Sequence, residues 1–507
     1  MDFLDPKKQK AHAVRLLTGY LLIGFALILA TIILLYRAYG FELENGQVIQ
    51  QGLVFISSQP NPANIYINGQ LVGTTNKRIF MQAGQYTFRL TRSGYRTWVR
   101  AVTVDGGSVE HFDYPVLFPV NLQSNTIKTY STPPGVVLQS PNRQWLLVQS
   151  PTNFDQFDEY NLNQSKANKV ASSLTSITIP SNVLTQSTGP QSWVLEQWST
   201  DNQHVILKHT FVEDGQPASE YIMLDRQDPT QSINLTNTLG TNPTQISFIN
   251  NNYSQYYLYN QTNETLDKAS LSAPTPQVFL QDVLGYKPYG SNMVLYATTQ
   301  GASSGKAWID LLQNKTTYKI LQLTNQSGSQ YLLDFTQYSG DWYIAAGSSA
   351  DNKVYIYQNP QAELQAEPDQ DPAPVAILKV PDPNQLVFSS NAQFVMAEGG
   401  SYFAVYDAQN DKSYAYHESA PLDTPQQFAT WMDGDRIMYV SNGKLVVFDF
   451  DSANLQTLMS VNPNYLPVFD SNYRDIYSIG TQPASTNGAT PAESALQYTP
   501  LLTPPDQ

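Results

Sequence analysis

The chain of 507 residues contains no cysteine. That single absence removes disulfides, thiolate metal sites, cysteine nucleophiles and a lipid-modified N-terminal cysteine. Histidine is scarce too: His12, His111, His204, His209 and His417 are the only five, and none has a metal-ligand spacing. His204 and His209, five positions apart, fall on opposite faces of one strand and read as chance placement. Charge is thin, at 14% of residues, and 28 Lys+Arg against 42 Asp+Glu leave a net charge of −14. Nucleic acid is excluded as a partner, because counterion release needs clustered cations. Disorder is excluded by the 41% hydrophobic content. What the chain has in abundance is tyrosine (32), proline (32) and glycine (28), a composition of strands and turns. At roughly 150 residues per domain the length predicts about three units, of which one large β-architecture can absorb two.

Only one long apolar run is present. From Leu16 to Tyr36 the chain carries no charge, and Thr18 and Thr31 are its hydroxylated interruptions. About 20 helical residues cross a hydrocarbon core, so residues 16–37 are expected to form a transmembrane helix embedded in lipid. Lys7, Lys8, Lys10 and Arg15 precede it, whereas Arg37, Glu42 and Glu44 follow. By the positive-inside rule residues 1–15 are cytoplasmic and the bulk of the chain lies outside the cell membrane. A cleaved signal peptide is the competing reading, but its apolar core runs about 7–15 residues and ends at a small-residue site. Here the run ends in Leu35, Tyr36 and Arg37.

Residues 50–118 read as a small β-module. Leu53–Ser57 alternates as a strand, Pro60 and Pro62 break it, and Asn64–Ile67 leads into Asn68-Gly69, a strong hairpin signal. Gly73-Thr74-Thr75, the alternating Gly84-x-Tyr86-x-Phe88-x-Leu90, then Gly94-Tyr95 and a strand from Val99 to Val104 complete the pattern. Gly69, Gly84 and Gly94 are expected where turns need positive φ or a close backbone approach. This order of residues resembles the PEGA module. The family usually has proline after the Gly-x-Thr element, where this chain has Asn76-Lys77. The resemblance implies a compact, non-catalytic β-sandwich of prokaryotic surface proteins associated with cell-envelope layers. The module also carries Lys77, Arg78, Arg89, Arg92, Arg96 and Arg100. Alternation sets Arg92, Arg96 and Arg100 on one side of their strands, and the six together are candidate contacts for a polyanion: lipid headgroups, cell-wall polymer or a surface layer. The bland alternative is an ordinary solvated sheet face.

Residues 119–507 repeat. Turns begin near Ser140, Ser199, Asn250, Tyr289, Tyr338, Ser389, Asp433 and Asp470, spaced 37 to 59 residues apart. Propeller blades have periods of about 40–50 residues. The stretch Ser140-Pro141-Asn142-Arg143-Gln144-Trp145 resembles the blade turn of TolB-like and WD40-like propellers. Eight turns predict eight blades, or seven with one irregular unit. The last repeat has three strands near Pro467–Asp470, Arg474–Ile479 and Ala495–Thr499, and Asn125–Tyr130 has no blade of its own, so the latter is expected to close the ring. Asn359–Pro374 and Gln482–Ser494 read as exposed loops. The fold expected is therefore mainly β: an N-terminal transmembrane helix, a PEGA-like sandwich and a C-terminal β-propeller.

Catalytic signals are weak. Gly301-Ala302-Ser303-Ser304-Gly305 spells a nucleophile elbow, but that motif needs a strand before it, a helix after it and later Asp and His partners. Lys306–Leu312 reads as a strand instead, and the same segment lacks the spacing of a phosphate loop. Asp433-Gly434-Asp435 and Asp449-x-Asp451 fit turn chemistry better than a calcium loop. The seven Asn-x-Ser/Thr sequons, beginning at Asn163, fit a chain rich in those residues. Residues 1–118 hold 11 Lys+Arg and 7 Asp+Glu, which leaves the remainder at −18. The expectation is a membrane-anchored envelope protein with no enzymatic activity, cofactor or metal, whose propeller binds a protein or glycan. The alternative is an accessory or remnant of a membrane-anchored hydrolase.

Overall fold

The computed structural model describes residues 6–38, 40–44, 47–164, 166–419, 422, 428–482 and 493–503. They divide into two compact units, Met1–Asn121 with the terminal residues from Thr503, and Leu122–Leu502.

The first unit begins with a helix, Pro6–Ala38. Within it His12–Tyr36 has a mean hydropathy of 2.4 and none of its most apolar window is buried by the rest of the chain. At 1.5 Å per residue, a stretch of that length reaches about 37 Å, enough for a bilayer core. Both interrupting hydroxyls are satisfied inside the helix: Thr18 Oγ1 donates to Val14 O at 2.9 Å and Thr31 Oγ1 to Leu27 O at 2.8 Å. Neither therefore costs unpaired hydrogen-bonding capacity in an apolar surrounding.

Two sheets follow. One has three strands, Lys77–Met81, Gly52–Ile56 and Val109–Phe112, the last pair parallel. The other has four, Gln70–Thr74, Asn64–Ile67, Gly84–Thr91 and Trp98–Val104. Their inner faces share a core of Val54, Ile56, Ile65, Phe88, Leu90 and Trp98, each at most 2% exposed. Truncating a buried aromatic such as Phe88 to alanine costs about 3–5 kcal/mol. Asn68 and Gly69 have φ of 49° and 86°, the left-handed pair that a two-residue hairpin needs. Asn76 occupies the place of the family's proline at φ 66°, and its N–H donates to Ile56 O at 2.9 Å. Asparagine tolerates that region, so the turn survives the substitution. Gly84 opens a strand without positive φ, unlike Gly94 at 83°.

The second unit holds eight four-stranded antiparallel sheets among the described residues. All eight turns read from the sequence join the first and second strands of a blade, for example Val137–Gln139 to Trp145–Gln149 and Gln385–Phe388 to Phe394–Gly399. First strands of neighbouring blades touch: Val283–Tyr289 meets Tyr331–Tyr338, which meets Gln385–Phe388, so they line the inside of the ring. Apolar side chains fill the seams between blades. Leu147 and Phe157 of blade 1 pack with Trp193 and Val205 of blade 2, and Leu295 and Ile309 of blade 4 with Phe335 and Ile344 of blade 5.

Closure follows the expected route. Asn125–Tyr130 pairs with Glu493–Pro500 as the outer strand of blade 8, beside Asp475–Gln482 and Val468–Phe469. Tyr130 and Tyr160 hydroxyls lie 3.1 Å apart, and Lys128 Nζ reaches Asp158 at 2.6 Å, so this strand also grips blade 1. Gln139 Nε2 donates to Phe469 O at 2.6 Å across the same seam.

One expected loop is partly helical. Pro360–Ala366 forms a helix, with Pro360 and Gln361 buried. Proline at the first helical position, followed by good helix formers, overrides the polar composition that suggested a loop. The loop expected at Gln482–Ser494 lies mostly outside the described residues, and Gln482 and Ser494 themselves belong to strands.

Candidate functional site

At one end of the ring the turns between first and second strands bond to one another. Asn142 N–H donates to Asn202 Oδ1 at 2.9 Å, Ser199 Oγ to Asn251 O at 3.0 Å and Asn250 N–H to Gly290 O at 3.1 Å. Asp433 accepts the N–H groups of Asp435 and Arg436, each at 2.8 Å, and pairs with the Arg436 guanidinium. This carboxylate thus serves its turn. Each Asp at the end of a third strand does likewise: Asp407 accepts from Gln409 N at 3.0 Å and Gln393 Nε2 at 3.0 Å. No cluster of three or more His, Asp or Glu arranged to hold a metal ion occurs among the described residues.

The opposite end, where first strands begin and second strands finish, contains a cavity of about 620 Å³ shared by blades 3, 4 and 5. Gln245 and Tyr259 enter from blade 3, Leu284 and Tyr286 from blade 4, and the connection Asn325–Gln330 carries the wall to Tyr331 of blade 5. Gln261 and Glu264 line it from the turn after Asn252–Asn260, and Thr299 from the loop after Met293–Thr298. The Gln326–Ser329 turn is held by its own bonds, Gln326 N–H to Ser329 Oγ at 3.0 Å and Ser329 N–H to Gln326 O at 2.9 Å, with Gly328 at φ 84°. Two tyrosine hydroxyls are turned into the protein: Tyr259 donates to Val283 O at 3.2 Å, and Tyr286 lies 2.9 Å from Ser247 Oγ. Burial, then the charges of Asp351 and Glu264, push Tyr331 up to about 12. The sequence reading missed this pocket. Its one legible signal is the unbroken polar run Asn325–Gln330 between two apolar strands.

The six candidate contact cations of the first unit are dispersed. Lys77, Arg78 and Arg89 are exposed, and Arg92, Arg96 and Arg100 are half-buried. Lys77 Nζ turns back to Val72 O, and Arg92 Nη1 to Pro62 O. Arg89 sits 4.3 Å from the centre of the Tyr66 ring on the outer face of the four-stranded sheet. Arg78 is cross-strand from Phe55, on the outer face of the other sheet. Arg92, Arg96 and Arg100 do not share a side. The first two lie in the connection between strands, where Tyr95 is buried, and Arg100 pairs with Phe88 on the inner face beside Trp98, its guanidinium 5.7 Å from the Tyr114 ring. Alternation fails here because the Gly94 turn resets the parity. Burial lowers the pKa of Arg96.

Both histidines of blade 2 have carboxylate partners that the sequence did not announce. His204 Nδ1 lies 2.7 Å from Asp201 and its ring stacks on Tyr253 at 4.1 Å. His209 is fully buried, 2.8 Å from Glu220 Oε1, which belongs to the neighbouring strand. Glu220 also accepts from Thr185 N at 2.9 Å, Thr185 Oγ1 at 2.7 Å and Asn234 Nδ2 at 2.7 Å. Burial raises its pKa, but these donors outweigh burial and leave it below the usual carboxylate value. The group clamps the connection into blade 2. Gly301–Gly305 is a loop between Met293–Thr298 and Lys306–Gln313, so a strand and not a helix follows it.

Residues 51–116 match the PEGA domain family. No curated protein matches the chain. Among solved structures it is similar to a eukaryotic initiation factor, at 12% identity and a TM-score of 0.37, over 65% of this chain and 89% of the other. It is also similar to an oligogalacturonate lyase in complex with manganese, at 11% identity and 0.35, over 62% and 99% of the two chains. A third likeness is to the dihydro-heme d1 dehydrogenase NirN in complex with DHE, at 12% and 0.37, over 65% and 67%. At such scores these likenesses say nothing of ligand or reaction.

Proposed function

We propose that the protein is a non-enzymatic, single-pass component of the cell envelope, with its N-terminus cytoplasmic and both folded units outside. Its PEGA domain contacts an anionic wall polymer, surface layer or lipid headgroup, and its propeller holds a protein or glycan partner. The observation that carries this reading is the order of parts: an unburied apolar helix with cations before it, then a PEGA domain at residues 51–116, then a ring of eight blades with a polar pocket. Among the cations, Lys77, Arg78 and Arg89 are the exposed ones and form the best-placed polymer contacts. Exposed charge acts through screened Coulomb attraction, so such contact weakens as salt rises.

Protease added to intact cells tests the topology. Cleavage of everything beyond residue 40 is expected, and a protected propeller refutes it. Replacing Arg78 and Arg89 by Gln in the full chain is expected to release more protein from the detergent-insoluble envelope fraction at low salt. Equal retention of variant and parent at every salt concentration removes the polymer contact.

A further inference from the structure

We infer that the pocket of blades 3 to 5 binds a neutral or amino-bearing oligosaccharide and rejects acidic glycans. The inference rests on reading the propeller as a ligand-holding ring. Five carboxamides, Gln245, Gln261, Asn325, Gln326 and Gln330, line the cavity, and none of their side chains has a hydrogen-bond partner among the described residues. A carboxamide offers two donors and an acceptor, which matches sugar hydroxyls that both give and accept. Among the described residues the only carboxylate in the lining is Glu264, and no lysine or arginine lines it. An acidic sugar would meet a like charge and find no cation to offset its desolvation. An ammonium or hydroxyl hydrogen would meet a free acceptor.

Shape points the same way. The volume of about 620 Å³ suits a short oligosaccharide better than one ring. With the hydroxyls of Tyr259 and Tyr286 engaged elsewhere, those side chains offer the pocket ring carbon against which the apolar face of a sugar packs. A protein partner fits less well. Protein interfaces rest on buried aromatic, aliphatic and arginine anchors. Among the described residues, none of the exposed large apolar side chains lines the cavity.

The test uses the full-length chain in nanodiscs, titrated with cellotriose, maltotriose, chitotriose, chitosan trimer and trigalacturonate by calorimetry. At least one neutral or amino trimer is expected to bind, with trigalacturonate at least tenfold weaker. Gln261→Ala with Gln330→Ala, both at exposed positions, should weaken that binding about tenfold or more with an unchanged melting temperature. Glu264→Lys should move preference toward trigalacturonate. Binding of trigalacturonate as tight as the best neutral trimer, binding unaffected by the double variant, or no binding of any neutral or amino trimer overturns the inference. So does a photocrosslink from position 330 in cells that captures only protein. These titrations do not depend on membrane topology, so their failure is separable from failure of the envelope reading.

Discussion

Glu398 lies at the end of the second strand of blade 6 with no exposed surface. Its Oε2 accepts the Ala429 N–H at 2.8 Å, while Oε1 has no hydrogen-bond donor among the described residues. Burial pushes its pKa up to about 8 from 4.5, only partly opposed by the Ala429 bond. Folding therefore holds a proton on this carboxyl that the unfolded chain releases above pH 4.5. Between those two values the native state binds more protons than the unfolded one, so stability falls as pH rises, by about 1.4 kcal/mol per unit. At pH 7 the accumulated loss is about 3 kcal/mol relative to pH 4.5. Glu398→Gln removes the ionisation and keeps an oxygen for Ala429. Gln385, the cross-strand partner of position 398, has a side-chain amide oxygen with no donor among the described residues. With an unfolding entropy of about 2.1 cal/mol/K per residue over a ring of about 380 residues, 3 kcal/mol corresponds to about 4 °C. Melting curves from pH 4.5 to 8.5 should show the variant ahead by about that much at pH 7 and the two proteins converging at the acid end. A variant less stable at pH 7, or a difference that does not change with pH, would falsify the assignment of a protonated buried carboxyl.

Asp435 behaves in the same sense. Burial, opposed by Arg436 and reinforced by Asp433, Asp449 and Asp407, pushes it up to about 7, so Asp435→Asn should stabilise the ring at and above neutrality and flatten the fall in melting temperature between about pH 4 and 7. Glu220 has the opposite sign. Its folded pKa is depressed, so its contribution is present at neutral pH and is lost as pH falls through that value. Glu220→Gln should cost about 2–3 kcal/mol at pH 7 by urea denaturation, and that cost should shrink as pH falls through and below the usual carboxylate range. Deleting residues 125–130 should leave blade 8 a strand short and lower the melting temperature by several degrees, and an unchanged melt would refute closure through that strand.

The architecture was legible because turns and alternation are local. Asn442-Gly443, with φ of 51° and 63°, announces the hairpin of Arg436–Ser441 and Lys444–Asp449 by residue type alone. Likewise Asn125–Tyr130 was legible as a strand without a blade, and ring closure gave it one. The pocket was not legible, since its walls come from three blades whose lining residues, from Thr244 to Tyr331, meet only after the sheets have packed. Glu220 and His209 lie eleven positions apart in sequence, and only the register of two long strands makes them partners. The cations illustrate the converse. Parity works along an unbroken strand, and the Ser93-Gly94 turn between Arg92 and Arg96 breaks it.

The closing strand has a mechanical consequence. Asn125–Tyr130 is the first part of the ring met by tension arriving along the backbone from the N-terminal side, and it is held chiefly by Glu493–Pro500 and a seam to blade 1. A pull strong enough to peel it away would leave seven complete blades paired, because their strands come from separate, contiguous stretches of chain. Release of that strand would lengthen the chain leading into the ring by a few residues while blades 1 to 7 keep all four of their strands.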